Sequence, residues 1–170
     1  LDVEIMMGGP QMNNRPMLIA GKLDFLMTGN LLLSFDNVRN GIPTMVVAAF
    51  FQKDPQAMIS HEGHYNNFSD LTKAPTILVS KDGQFSFWKW MVNAHGFKDE
   101  QVKPYAYNLA QFLKDEKMVQ QAYGTAEPLY AAAAGAKPKT FLLADQGWTT
   151  YSTTIEARTE MVENNPDLVQ

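Results

Sequence analysis

The stretch Pro75-Thr76-Ile77-Leu78-Val79-Ser80-Lys81-Asp82-Gly83-Gln84-Phe85-Ser86-Phe87-Trp88-Lys89-Trp90-Met91 (PTILVSKDGQFSFWKWM) decides how the chain is read. Its first part, TILVS, is an apolar run of strand length, rich in β-branched residues. A turn residue, a small polar group and a crowd of aromatics follow, at the start of a helix. A strand passing straight into a helix is the repeating unit of an α/β sheet. Two other joints are built alike: FLMTGN (25–30) and AYGTAEP (122–128). Each sets small residues and hydrogen-bonding side chains before a helix, where unpaired backbone N–H groups can hold an electronegative atom. The last adds a carboxylate, Glu127, followed by Pro128, which suits a first helical turn. Ligands of open α/β sheets gather at the carboxyl ends of strands. Capping alone explains any single joint; the chemistry common to all three points to a ligand.

Outward from these joints, strands and helices alternate. LDVEIMM (1–7) reads as a strand closed by Gly8-Gly9-Pro10, and NNRPMLIAG (13–21) as a short helix stopped by Gly21. LDFLMTG is a strand; NLLLSFDNVRNG (30–41) is a helix begun by Thr28 or Asn30. PTMVVAAFF and QAMISH are β-rich. VKPYAY is a strand, LAQFLKDEKMVQQ (109–121) a helix, and AYG a short strand. AEPLYAAAAGA is a helix favoured by its alanines, TFLLA a buried strand, and ARTEMVENN a final helix. This alternation predicts parallel sheets.

Composition narrows the function. The 170 residues are 45% hydrophobic and 19% charged, with a formal net charge of −4. With no Lys/Arg stripe, nucleic acid is not an expected partner. No apolar run is long enough to span a bilayer. The absence of cysteine excludes disulfides, thiolate metal sites and cysteine nucleophiles. His61, Glu62 and His64 (HEGH) lack the spacing of a helical zinc signature, and Gly63, Asn66 and Asn67 make that stretch a loop. No metal and no cofactor is expected. Ser86 has no nucleophile-elbow glycines around it. The ten methionines scatter through apolar segments and read as packing.

The aromatics sharpen the picture. Trp88 and Trp90, two apart, face different sides of a helix, so one can pack on the sheet while the other meets a cleft. Tyr105, Tyr107, Tyr123, Tyr130, Trp148 and Tyr151 lie near other strand ends. Rings with polar edges suit a flat ligand. Phe25, Phe50, Phe112 and Phe141 fall inside apolar runs and are expected in the core.

Taken in order, LDVEI, LIAGKLDFLMTGN and GIPTMVVAAFFQKDPQAMISH resemble the first lobe of the periplasmic substrate-binding proteins of ABC importers. DLTKAPTILVS, FSFWKW, QQAYGTAEPLYA and FLLADQGWTTYSTTI are similar to the branch that binds thiamine-pyrimidine precursors and riboflavin, within the nitrate/sulfonate/taurine class. The resemblance covers essentially the whole chain. It implies a two-lobed α/β fold of the type II periplasmic-binding-protein kind, each lobe a mostly parallel sheet flanked by helices and joined to the other by two crossing strands. Lobe one would hold 1–67 and 147–170, and lobe two 68–146. The crossings would lie near His64–Ser69 and Ala144–Trp148. Family members begin with a further strand, loop and helix and continue beyond the position of Gln170, so the chain reads as a fragment.

The same resemblance implies the site. TGN supplies Thr28 and Asn30, QFSFW supplies Gln84, Ser86 and Trp88, and GTAEP supplies Glu127 as acceptor for an amino group or ring N–H. Tyr123 precedes that turn. ADQGW places Asp145 and Trp148 at the return crossing as lid or hinge contacts. The implied partners are a small-molecule ligand and ABC permease subunits. The implied protein is a monomer when full-length, exported behind a signal peptide to the periplasm or lipid-anchored outside a Gram-positive cell. It would not be an enzyme.

Two alternatives share the fold. Enzymes that make the thiamine pyrimidine need a Schiff-base lysine, a sacrificial histidine and a cysteine-rich segment; this chain has no cysteine, and His61, His64 and His95 sit outside the candidate turns. A ligand-sensing domain of a transcription regulator would need an upstream helix-turn-helix. Arg15, Arg39 and Arg158 lie at no candidate turn, which argues for a neutral or weakly basic heterocycle over a sulfonate or nitrate.

Overall fold

The computed structural model describes residues 2–9 and 12–170. Two sheets carry the chain. The first contains β1 (Phe25–Asn30), β2 (Thr44–Phe51) and β8 (Ser152–Arg158), in the order β1-β8-β2. The second contains β3 (Gln56–His61), β4 (Ile77–Val79), β5 (Val102–Pro104), β6 (Val119–Tyr123) and β7 (Pro138–Leu142), in the order β5-β4-β6-β3-β7.

The helices are α1 (Arg15–Ile19), α2 (Leu32–Arg39), α3 (Lys81–Phe85), α4 (Phe87–His95), α5 (Ala110–Lys114), α6 (Glu127–Ala133), α7 (Thr159–Asn164) and α8 (Pro166–Val169). None is long and apolar enough to cross a membrane among the described residues.

The strand–helix joint at 75–91 forms as its chemistry dictates, with one refinement. Ser80 leaves β4 in extended conformation and its side chain accepts the Gly83 N–H at 3.1 Å, capping α3. Gly83 is required by close packing: a Cβ there would stand 2.7 Å from the Phe87 ring and 2.8 Å from Val79. The expected single helix is two. Ser86, at φ −120° and ψ −102°, breaks it, and its hydroxyl donates to the Asp82 carbonyl at 2.8 Å. α4 then ends at Gly96, at φ 74°.

Several expectations are corrected. Among the described residues of LDVEIMM there is no strand, and Val3, Ile5 and Met7 are exposed. No side chain caps α2, which begins after Leu31 rather than at Thr28 or Asn30. The helix expected over 109–121 stops at Lys114, and Val119–Tyr123 is the strand β6. β8 was not foreseen at all. Phe50 is exposed, not core.

The sheets are not mostly parallel. β1 and β2 both run antiparallel to β8, and β3 is antiparallel to β6 and β7; among the described residues the parallel pairings are those of β4 with β5 and with β6. β3, expected with the first sheet, hydrogen-bonds in the second. The first passage between sheets therefore lies at 52–55, ahead of β3, and not at His64–Ser69. The chain returns through a 3₁₀ turn, Leu143–Gln146, and Gly147 at φ 104° before entering β8.

Most of the core belongs to the second sheet. Met58, Ile77, Val79, Phe87, Trp88, Met91 and Trp148 form its largest cluster, and Ile59, Phe112, Ala122 and Ala131 form another. The first sheet is held in part by a buried polar knot. Fully buried Glu156 accepts from Thr44 Oγ1 at 2.7 Å, from Asn37 Nδ2 and from Arg15 Nε at 3.2 Å. A buried carboxylate is tolerated only with such a set of donors.

Candidate functional site

A cavity of about 260 Å³ lies between the two sheets. From the first sheet, Thr28, Gly29 and Asn30 reach it off the end of β1, and Ser152 and Thr153 off the start of β8. From the second come Gln56, Gln121 and Tyr123, with Ser80, Asp82, Ser86 and Phe87 from the β4–α3–α4 joint, and Tyr107. Asp54 stands on the first crossing. All three foreseen joints thus reach this space, the third through Tyr123 alone.

Asn30 and Ser86 touch across the gap. The Asn30 Nδ2 donates to Ser86 Oγ at 3.2 Å. Ser86 already gives its proton to the Asp82 carbonyl, so toward Asn30 it can only accept. That sets the amide's orientation and leaves Oδ1 as its free acceptor. Asn30 is 6% exposed, and Oδ1 has no hydrogen-bond partner among the described residues. Such an atom asks for a donor from a ligand.

Asp54 is the second acceptor of note. It is 2% exposed, and its carboxylate accepts from Trp148 Nε1 at 2.8 Å and from the Gln56 N–H at 2.9 Å. Burial raises its carboxyl above the ordinary value, and those two hydrogen bonds offset the rise only in part. Burial likewise raises the phenols of Tyr107 and Tyr123, so both hydroxyls stay protonated at neutral pH. No lysine, arginine or histidine lines this cavity among the described residues.

Two residues in its wall have uncommon backbones: Tyr107 at φ 51° and Thr153 at φ 52°. Neither is glycine, asparagine or aspartate, the usual occupants of that region.

Of the nine residues expected in the site, Thr28, Asn30, Ser86 and Tyr123 line the cavity. The other five do not. Trp88 is 2% exposed in the core, its indole N–H donating to Asp99 Oδ1 at 2.8 Å, so the expected stacking face is unavailable. Gln84 turns back to the Val79 carbonyl at 3.1 Å. Glu127 accepts the Tyr123 N–H at 2.8 Å and the Tyr105 hydroxyl at 3.2 Å; it braces Tyr123 from behind. Asp145 pairs with Lys53 at 2.8 Å in solvent, and Trp148 holds Asp54. Those last two contacts each tie the outgoing crossing to the returning one.

Sequence reasoning missed Asp54, Gln56, Ser80, Asp82, Gln121, Ser152 and Thr153. The Lys53-Asp54-Pro55 break between β-rich runs was a usable signal for Asp54. No local signal marks Ser152 and Thr153, because the strand they open was not seen.

Arg15 is also placed unexpectedly. It borders a second cavity of about 160 Å³ that shares Met27, Thr28, Leu33 and Asp82 with the first. His61 is buried, stacked on Phe112 at 4.2 Å, and His64 meets Glu116 at 3.3 Å, so HEGH is structural packing and surface pairing. No group of three His, Cys, Asp or Glu is placed to hold a metal ion among the described residues.

A family model described as NMT1/THI5 like matches residues 1–170. No match was found among curated protein sequences. Among solved structures, the chain is similar to a glycine betaine/L-proline-binding protein (ProX) of an ABC transporter from Borrelia burgdorferi, with TM-score 0.63 and 15% identity over 90% of this chain and 63% of that one. It is similar to the periplasmic aliphatic sulphonate-binding protein SsuA from Escherichia coli, with TM-score 0.61 and 15% identity over 92% and 51% of the two chains. A third is the binding component of an ABC transporter from Wolinella succinogenes complexed with lysine, with TM-score 0.55 and 18% identity over 91% and 63%. The chain thus spans between 51% and 63% of the length of these relatives. The likeness shows the fold, that of type II periplasmic binding proteins.

Proposed function

The chain belongs to the NMT1/THI5-like family, and from that premise we propose that it serves as the solute-binding component of an ABC import system. Its ligand would be a small heterocycle bearing N–H donors, held between the two sheets. The observation that carries this reading is a cavity walled from both sheets and lined by Asn30, whose buried Oδ1 has no hydrogen-bond partner among the described residues.

The wall chemistry narrows the ligand. Asn30 Oδ1 and the Asp54 carboxylate are acceptors, so they favour a donor-bearing or weakly basic ring. A quaternary ammonium has no N–H to offer Asn30. Tyr107, Tyr123 and Phe87 supply ring faces in place of Trp88. About 260 Å³ suits one substituted ring of aminopyrimidine type better than the three fused rings of a flavin.

Binding would favour a form in which both sheets contact the ligand, and a membrane permease would recognise that form outside the cytoplasm. This needs capture and release only, with no bond made or broken.

The test is a thermal-shift screen followed by calorimetry with 4-aminopyrimidine, riboflavin, taurine, glycine betaine and lysine, because a ligand of the native state raises its melting point. The aminopyrimidine should stabilise the wild type and lose that effect in Asn30→Ala. Stabilisation by taurine or glycine betaine alone would overturn the ligand class.

A further inference from the structure

Glu127 does not line the cleft, yet its carboxylate reaches toward two of the residues that do. From the first turn of α6 it accepts the Tyr123 N–H through Oε2 at 2.8 Å and the Tyr105 hydroxyl through Oε1 at 3.2 Å. Tyr123 lines the cavity itself. Tyr105 is 1% exposed and clusters with Leu78 and Met118; its N–H donates to the Val79 carbonyl at 3.1 Å, at the end of β4. The Tyr105 ring meets the Tyr107 ring edge to face, with centroids 4.9 Å apart and an interplanar angle of 73°. Tyr107 is the cavity-lining residue held at φ 51°. A bulky residue keeps that backbone conformation where its surroundings over-determine it.

We propose that Glu127 is a positioning residue for the aromatic wall of the cleft: through the Tyr123 N–H, and through Tyr105 to Tyr107, one carboxylate fixes where both rings stand without itself touching the ligand. The role rests on the cleft being a site for a ring. The two carboxylate oxygens are divided between the two segments, and hydrogen bonds to a charged acceptor are the stronger kind. Burial raises the phenols of Tyr105 and Tyr107, and the Glu127 charge adds to the rise in each, as its place beside both requires. Ring contacts depend on centroid distance and tilt, so a wall that drifts loses its hold on a flat ligand.

A direct contact between Glu127 and a ligand amino group predicts a different pattern. Such an acceptor would depend on the carboxylate and would have no need of the Tyr105 hydroxyl. The brace depends on both bonds, and on Tyr105 only toward Tyr107.

Two measurements test it, the first with no ligand present. Fluorine NMR of the full chain labelled with 3-fluorotyrosine reports each tyrosine, with Tyr107 and Tyr123 assigned through their Phe variants. Glu127→Met fills similar space without an acceptor; it should shift or broaden Tyr107 and Tyr123 and leave Tyr65 and Tyr151 in place. Tyr105→Phe should disturb Tyr107 and not Tyr123. Calorimetry with 4-aminopyrimidine should then show affinity lower by about tenfold in Glu127→Met and about threefold in Tyr105→Phe. Glu127→Gln should stay within about twofold of wild type, because its amide can accept the Tyr123 N–H and donate to the Tyr105 oxygen. Tyr65→Phe is the control: it removes the hydroxyl bond to the Lys117 carbonyl and should leave affinity unchanged. Unmoved Tyr107 and Tyr123 resonances in Glu127→Met overturn the positioning role. So does full affinity in Tyr105→Phe beside a large loss in Glu127→Gln, which would make Glu127 a ligand contact. If Glu127→Met does not fold, Tyr105→Phe and Glu127→Gln carry the comparison. If 4-aminopyrimidine does not bind wild type, the ring reading of the cleft fails by itself, and the ligand-free spectra still decide whether Glu127 holds the wall.

Discussion

Asn30 donates from Nδ2 to Ser86 Oγ across 3.2 Å, and this bond joins the end of β1 in one sheet to the break between α3 and α4 on the other. Asn30 also lines the cavity, and its carbonyl oxygen is buried with no hydrogen-bond partner among the described residues. One side chain therefore links the two halves and keeps an unused acceptor beside the cavity wall.

Asn30→Ala should lower affinity for an N–H-bearing ring about tenfold, because it removes both functions. Ser86→Ala should cost less, about threefold, since the Asn30 acceptor survives but loses its fixed orientation. Calorimetric titration of both variants against wild type checks the order. Equal effects would mean that orientation, not the acceptor, is what matters.

Trp88 is core and should behave so. Trp88→Ala is expected to cost about 3–5 kcal/mol of folding free energy, read from urea denaturation. Trp88→Phe keeps most of the packing, loses the Asp99 bond, and should leave ligand affinity within about twofold of wild type. A large affinity loss in Trp88→Phe would return the ring to the site.

Asp54 makes stability depend on pH. Its folded carboxyl lies above the ordinary 3.8, chiefly because burial disfavours the charge. A raised value means that the folded chain holds this proton more tightly than the unfolded chain does. The associated stability is complete below about 3.8 and is lost as pH rises through the folded value. Asp54→Asn should therefore gain stability on wild type at pH 7, with the gain vanishing in acid. Denaturation midpoints of the two proteins between pH 3 and 7 measure the difference directly; a constant offset would contradict the assignment.

Thr153 holds φ at 52° in the cavity wall. A β-branched residue pays for that conformation, by roughly 1–2 kcal/mol. Thr153→Asn should recover about 0.5–1 kcal/mol, because asparagine tolerates the left-handed region. Removing the Thr153 methyl and hydroxyl from the cavity should weaken binding at the same time. A variant that binds as wild type does and is no more stable would show that the strain serves neither.

The local order of the chain determined a good deal by itself. TILVS followed by Ser80 and Gly83 specifies a strand, a cap and a helix start, because those signals act over a few residues. The same holds for FLMTGN and for Glu127-Pro128. Thr28, Asn30, Ser86 and Tyr123, which the family resemblance implied, do line the cavity between the sheets. Tertiary structure alone decided the rest. Val119–Gln121 reads as helical in isolation, yet it belongs to β6, which lies between β4 and β3, and pairing on both sides outweighs its modest local preference. Trp88 and Trp90 both carry rings suited to a ligand; only packing against Phe97 and the bond to Asp99 commits Trp88 to the core. Arg15 and Glu156 stand 141 positions apart, and no pattern of neighbours announces a contact made by folding a distant strand, β8, against α1.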